Sequence, residues 1–250
     1  MDVKPLSNSP KTLVSLPCPI VSPVTFFLAT YVLSWLIWIP LVLSKFNIGT
    51  FHIPEGTSSA AGLLGVLMPA ITALILTVHR GGFKGVSSLL RPLKTWRVGW
   101  RWWAAAVLVW PALLILTGLI YNWLWHDPPI SAVLPNSVAA FLVNVIFLLV
   151  ATLGEEIGWR GLALPALEWR TSALRASIIL GVVWATWHVP YWLLQDTFTQ
   201  YGVGYLALSF LFVLPGTFYI TWFYNHGRFS LLLPVAFHVT YNISMLPGCR

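Results

Sequence analysis

The chain has 250 residues, of which 58% are hydrophobic and only 8% are charged. A soluble domain carries roughly a quarter charged residues, so this composition predicts an integral membrane protein with almost the whole chain in the bilayer. The net charge of +7 does not indicate nucleic-acid binding, because the basic residues gather in particular loops and no soluble domain is available to hold DNA or RNA.

The apolar segments are continuous rather than alternating, and each is close to the ~20 residues that a bilayer-crossing helix needs. Only helices and closed barrels satisfy the backbone within lipid, and continuous apolar runs favour helices. We therefore predict an all-α, polytopic transmembrane bundle of about seven spans, without internal repeats. The predicted spans are residues 24–44, 60–78, 102–124, 137–162, 173–194, 203–224 and 229–247.

The distribution of lysine and arginine predicts the orientation. With the N-terminus in the cytoplasm, twelve of the fourteen basic residues fall on the cytoplasmic side, and only Lys45 and Arg250 fall on the other. Cytoplasmic loops carry an excess of these residues, so we predict a cytoplasmic N-terminus and a polar cavity whose mouth opens to the same side. Cys18 and Cys249 would then lie on opposite faces, where they cannot pair within one chain.

Three regions follow one another along the chain. We predict a cytoplasmic tail over 1–23, N-terminal membrane helices over 24–136, and a third region over 137–247 that carries the candidate chemistry. Within the second region, residues 82–101 repeat apolar and basic side chains at helical spacing. This pattern predicts an amphipathic helix that lies against membrane lipids at the interface and that Pro92 kinks or splits.

The strongest functional signal is a pair of charges where charge is costly, Glu155 and Glu156, after the apolar run 138–153. Ionisable side chains inside a membrane indicate function by default. Glu156 and Arg160 are four residues apart on a helix, which lets them pair, while Glu155 is turned by ~100° and remains free to face a cavity. A charge cluster that merely ends the span fits the position equally well. Three glycines would let another helix approach closely: Gly154, Gly158 and Gly161.

Two further polar elements lie within predicted spans. His188 lies inside the fifth span, with Trp184 on the same face one turn earlier. His238 and Asn242 share a face of the last span, and alone they are better explained by helix–helix hydrogen bonding. If these residues converge with Glu155, they supply what amide hydrolysis needs. A carboxylate or histidine takes a proton from water, and neutral donors stabilise the oxyanion.

Glu155 and His188 can approach each other only if they lie at the same depth in the membrane. At ~1.5 Å per residue, His188 lies ~24 Å along its span, whereas Glu155 lies only ~10 Å from the end of its helix. The two side chains meet only if the fifth helix begins well below the membrane surface or tilts.

The chain lacks the motifs on which other mechanisms of intramembrane peptide hydrolysis depend. The chain has no HExxH zinc-protease motif and no GxSxG elbow. Its three aspartates, Asp2, Asp127 and Asp196, all lie outside the predicted spans, so an intramembrane aspartate pair is excluded. A glutamate-based mechanism remains, although two histidines and a carboxylate can also ligate zinc.

Three motifs, taken in order and spacing, resemble the CPBP family, which comprises type II CAAX prenyl endopeptidases and bacteriocin-processing or immunity proteins. The resemblance covers roughly residues 137–247, which it identifies as a catalytic core. The motifs are EExxxR at Glu155, Glu156 and Arg160, an aromatic-x-x-x-His at Trp184 and His188, and HxxxN at His238 and Asn242.

The resemblance implies a multi-pass intramembrane glutamic endopeptidase that needs no cofactor and no metal. In such an enzyme Glu155 and His188 would activate the water, and His238 and Asn242 would form the oxyanion hole.

It also implies that Glu156 and Arg160 are supporting residues, in agreement with their predicted pairing. Trp184 is a third supporting residue. It stands where the family usually has phenylalanine, and we expect a tolerated aromatic replacement that narrows the pocket.

We therefore predict metal-independent hydrolysis of a peptide bond in a membrane-associated protein or peptide. The substrate is expected to be lipidated or to carry an apolar tail, with CAAX-type prenylation as the case that the resemblance suggests. The main alternative is a non-enzymatic bacteriocin-immunity or peptide-binding membrane protein of the same fold. A small transporter is a third alternative, disfavoured by the lack of repeats and broken paired helices.

Overall fold

The computed structural model describes residues 21–50, 52–125 and 137–244. Every regular element in these ranges is helical, which confirms the predicted all-α, polytopic fold class. The helices are α1 (Pro23–Lys45), α2 (Glu55–Leu90), α3 (Trp100–Trp125), α4 (Val138–Glu156), α5 (Leu164–Glu168), α6 (Ala173–Trp187), α7 (Val189–Leu193), α8 (Asp196–Tyr201), α9 (Val203–His226) and α10 (Leu232–Ser244). Most of the predicted tail 1–23, both cysteines and Asp127 lie outside the described residues.

The chain is an integral membrane protein with several apolar helices. Among the described residues, five helical segments are long and apolar enough to cross a bilayer: Pro23–Lys45, Ala60–Lys94, Trp100–Trp125, Phe141–Glu168 and Val203–His226. The other two predicted spans contain shorter apolar helices, Ala173–Trp187 and Leu232–Ile243. The first of these is short because α6 ends at Trp187 and Pro190 opens the separate short helix α7, as proline favours the first helical turn.

Helices α1 and α2 pack closely because small residues on α2 leave room for α1. The Ser34 hydroxyl donates to the Gly65 carbonyl at 2.9 Å, and the Trp38 indole donates to the Gly62 carbonyl at 3.1 Å. A Cβ atom on Gly65 would lie 2.1 Å from the indole nitrogen of Trp38. Only glycine therefore allows this contact.

The segment predicted as one amphipathic helix over 82–101 has a different structure. Helix α2 runs on through a kink at Gly82, where φ is +56°, a conformation that glycine adopts without a Cβ clash. Helix then continues to Leu90, and a 3₁₀ turn covers Arg91–Lys94. Residues 95–99 are not helical. The predicted kink or split at Pro92 falls at this 3₁₀ turn, whereas the kink at Gly82 and the non-helical residues 95–99 were not predicted.

Contacts between loops define the two ends of the bundle. At one end, Arg228 donates to the Arg97 carbonyl at 3.0 Å and Ser230 donates to the Thr95 carbonyl at 2.6 Å. At the other, Lys45 donates to the Leu194 carbonyl at 2.7 Å. Two of the loops predicted to be cytoplasmic thus lie together, opposite Lys45. The orientation across the membrane and the division into three regions stay predictions.

Helix α4 passes without interruption into a π-helical segment, Ile157–Ala163, and then into α5. All three predicted close-approach glycines lie next to α2, and a Cβ on Gly161 would lie 3.2 Å from Cδ1 of Leu89. A Cβ on Gly154 would lie 2.6 Å from Cδ2 of Leu67, and one on Gly158 would lie 2.6 Å from Cβ of Pro69. This contact, which glycine alone permits, holds the two consecutive glutamates inside the bundle.

Candidate active site

The two glutamates lie deep in the bundle because their helix extends further than the sequence predicted. The apolar helical segment Phe141–Glu168 places Glu155 thirteen residues, or roughly 20 Å, from its end. His188 lies fifteen residues, or roughly 22 Å, beyond the start of α6 at Ala173. The two side chains therefore reach similar depth without the low start or tilt that the shorter predicted span had required. The π-helical turn that follows Glu156 is itself a feature common at functional sites.

Glu156 belongs to a buried ion pair. Its Oε1 accepts a hydrogen bond from Nη1 of Arg160 at 2.9 Å, and both side chains are fully buried. The same oxygen accepts from Nδ1 of His238 at 2.8 Å. The predicted i,i+4 pairing of Glu156 with Arg160 is confirmed, and the pair also holds α10 against the π-helical segment through His238.

Glu155 makes different contacts. Its Oε2 accepts a hydrogen bond from the indole nitrogen of Trp184 at 2.6 Å and lies 3.6 Å from Nε2 of His188. The residue is 4% exposed. Among the described residues, the side chain that forms an ion pair with Arg160 is Glu156 rather than Glu155. The consecutive carboxylates are thus divided between two sets of partners.

The hydrogen bonds of His188 assign its tautomer. Its Nδ1 lies 2.8 Å from the backbone carbonyl of Trp184, and a carbonyl can only accept, so Nδ1 carries a proton. In the neutral ring, Nε2 then has a free lone pair, and it lies 3.6 Å from Oε2 of Glu155. The atom that faces the carboxylate is therefore the one able to accept a proton.

An aromatic enclosure surrounds His188, and the sequence reasoning missed most of it. The ring stacks on Trp192 with centroids 5.3 Å apart and 9° between planes, and it meets Trp187 edge-on at 4.5 Å. Trp184 and Trp192 precede and follow His188 by four residues, which places all three on one helical face. That spacing is a signal that could have identified the enclosure.

Asn242 lies one turn beyond His238 on α10 and is half-buried. The structure therefore brings Glu155, Trp184 and His188 together, and joins Glu156, Arg160 and His238 beside them. Trp184 connects the two groups, since its ring lies edge-on to His238 at 5.2 Å. The catalytic roles of all these residues remain predictions.

An apolar pocket adjoins the cluster between α6, α9 and α10. It is lined by Trp184, Phe212, Val213, Gly216, Ile220, Phe237, His238 and Tyr241. Two members of this lining also belong to the buried cluster. An apolar group in the pocket would thus lie next to the candidate site.

The described residues contain no group of three or more His, Cys, Asp or Glu side chains placed to hold a metal ion. The two histidines instead bond through Nδ1 to different acceptors, the Trp184 carbonyl and the Glu156 carboxylate.

The fold and the cluster define a multi-pass helical membrane protein with a buried carboxylate–imidazole site. The sequence profile of the family described as type II CAAX prenyl endopeptidase Rce1-like matches residues 137–244. The chain is also 27% identical, over 241 aligned residues, to a protein named CAAX prenyl protease 2 from Methanococcus maripaludis. That alignment covers 89% of this chain and 83% of the relative. These matches confirm the resemblance drawn from the three motifs.

Proposed function

We propose that this protein is an intramembrane glutamic endopeptidase that hydrolyses a peptide bond of a membrane-associated protein or peptide. The observation that carries the proposal is the buried pair formed by Glu155 and His188, with Oε2 and Nε2 3.6 Å apart. The family match over 137–244 and the relative's name support the reaction class.

Glu155 and His188 would activate the attacking water. A separation of 3.6 Å is too long for a direct hydrogen bond, but one water molecule can donate to Oε2 and to Nε2 at once. As the water attacks the carbonyl carbon, its proton passes to one of these two bases. The same group then returns the proton to the leaving amine.

His238 and Asn242 would stabilise the oxyanion that forms on the carbonyl oxygen. Because Nδ1 of His238 is engaged by Glu156, the ring can offer only Nε2 to the substrate. Nε2 donates to the oxyanion when the ring is doubly protonated. The Asn242 amide would supply a second, neutral donor.

The substrate would carry an apolar tail, with a CAAX-type prenylated protein as the specific proposal. The relative's name supports this class, as does the apolar pocket beside His238 and Trp184. The test compares hydrolysis of one peptide with and without a farnesyl group on its cysteine. We expect a higher kcat/KM for the farnesylated peptide, and equal values would contradict this substrate class.

The decisive experiment for the reaction is Glu155→Gln in purified, correctly folded protein. We expect proteolysis to be abolished, because an amide cannot accept the proton of water. Glu168→Gln is a matched control: Glu168 lies on the same helical segment, but it accepts a hydrogen bond from Asn225 at 2.6 Å, away from the cluster. Full activity in Glu155→Gln would refute the glutamate mechanism. A resistance or processing phenotype that survives this change would favour the non-enzymatic binding protein.

A further inference from the structure

Trp184 contacts four of the five charged or imidazole groups of the cluster. Its indole nitrogen donates to Glu155 at 2.6 Å, and its backbone carbonyl accepts from His188 at 2.8 Å. The guanidinium carbon of Arg160 lies 4.6 Å from its ring centroid, within the range of a cation–π interaction. Its ring also lies edge-on to His238 at 5.2 Å.

We propose that the indole N–H of Trp184 is a positioning donor that holds the Glu155 carboxylate in line with Nε2 of His188. This inference rests on the proposed function, which makes those two groups the bases that activate water. A phenylalanine ring at this position would keep the aromatic packing but would have no N–H to donate. The expectation of an equivalent aromatic replacement is therefore incomplete, because the indole adds a contact to the reacting carboxylate.

The physical argument begins with the length of the Glu155 side chain, whose three rotatable bonds give it many orientations. A charge-assisted hydrogen bond of 2.6 Å selects one of them. The Trp184 ring is itself fixed, since it is 3% exposed and contacts Arg160 and the two histidines. Water activation depends on holding the base within about 0.5 Å of its productive position.

The same residue also orients the second base. The Trp184 carbonyl fixes the tautomer and the ring plane of His188, whereas the indole fixes Glu155. Substitution of the side chain deletes only the second of these effects. The two contributions can therefore be separated by experiment.

The test compares wild type with Trp184→Phe and with a variant that carries 3-benzothienylalanine at 184. The latter keeps the bicyclic shape and replaces the N–H with sulfur, so it also serves if Trp184→Phe does not fold. We expect kcat to fall about tenfold or more, as for a lost hydrogen bond to a charged group, with KM changed by less than about twofold. The control is Trp38→Phe, which removes another fully buried indole hydrogen bond, to the Gly62 carbonyl, and should retain wild-type kcat.

A second measurement does not depend on turnover. The indole proton resonance of Trp184, identified by its absence from the spectrum of Trp184→Phe, should move upfield in Glu155→Gln, because the acceptor loses its charge. If wild type cleaves no peptide, the proposed function fails. The indole resonance then tests the Trp184–Glu155 hydrogen bond by itself, and an unchanged chemical shift in Glu155→Gln overturns the proposal. If wild type is active, a kcat within about twofold of wild type in the benzothienyl variant overturns the proposal.

Discussion

Neutralising Glu156 should destabilise the protein strongly. Glu156→Gln keeps the shape and one acceptor oxygen, but removes the negative charge that faces Arg160 and His238. Both Glu156 and Arg160 are 0% exposed, so water cannot replace the lost partner. Among the described residues, Glu156 is the carboxylate that forms an ion pair with Arg160. The substitution therefore leaves a buried guanidinium without a counter-charge.

Breaking a buried ion pair by changing one partner costs about 3–5 kcal/mol. Because glutamine retains an acceptor for Nη1 of Arg160, we expect a value near the lower limit, about 3 kcal/mol. In a chain of this length such a loss lowers the melting temperature by roughly 6–12 °C. Thermal unfolding of the purified protein in detergent, followed by circular dichroism, measures the effect.

Two controls test the reasoning. Asp196→Asn removes an ion pair with Lys45 whose aspartate is fully exposed, and it should leave the melting temperature unchanged. The double variant Glu156→Gln with Arg160→Met removes both charges, keeps an acceptor for Nδ1 of His238, and should melt closer to wild type than Glu156→Gln does. If Glu156→Gln and Asp196→Asn have the same melting temperature, burial does not control the energy of the Glu156–Arg160 ion pair.

The remaining predictions concern packing and chemistry. Gly158→Ala should destabilise the protein by about 1–3 kcal/mol, because its methyl would lie 2.6–2.7 Å from Pro69 side-chain and backbone atoms. The control is Gly204→Ala, whose methyl would have nothing within 4 Å and which should have the melting temperature of wild type. His188→Gln should lower kcat by about 10²-fold or more, whereas His226→Gln should be active, although His226 makes the same kind of bond to a carbonyl four residues earlier. Equal losses in the two variants would argue against base catalysis by His188. Peptidase activity should survive ortho-phenanthroline, and a loss that added zinc reverses would contradict the metal-independent mechanism.

Much of the architecture followed from composition and spacing. Long apolar runs must be helical in lipid because their backbone groups need internal partners. In the part of the chain that the structure describes, five helices long enough to cross a bilayer and two shorter apolar helices accordingly coincide with the predicted spans. Local geometry also determined the pairing of Glu156 with Arg160, since residues four apart on a helix are neighbours. The same rule placed His238 and Asn242 on one face.

The segment 82–101 and the end of the fourth span were harder to predict. In 82–101, Pro92 predicted a break near the 3₁₀ turn, but the amphipathic pattern did not predict the kink at Gly82 or the non-helical residues 95–99. The helical segment that carries Glu155 continues to Glu168, and Gly154 and Gly158 let α2 pack against it. Packing between distant segments therefore decided the depth of the glutamates.

The amino-acid sequence by itself determined that the chain is a helical membrane protein and that its polar residues belong to three motifs. Only the tertiary structure decided the partners on other helices: Glu155 faces His188 and Trp184, while Glu156, paired with Arg160 along its own segment, also bonds to His238. The physical reason is that periodicity fixes neighbours along one helix. Contacts between helices depend on crossing geometry, which is set by the summed packing of residues far apart in the chain.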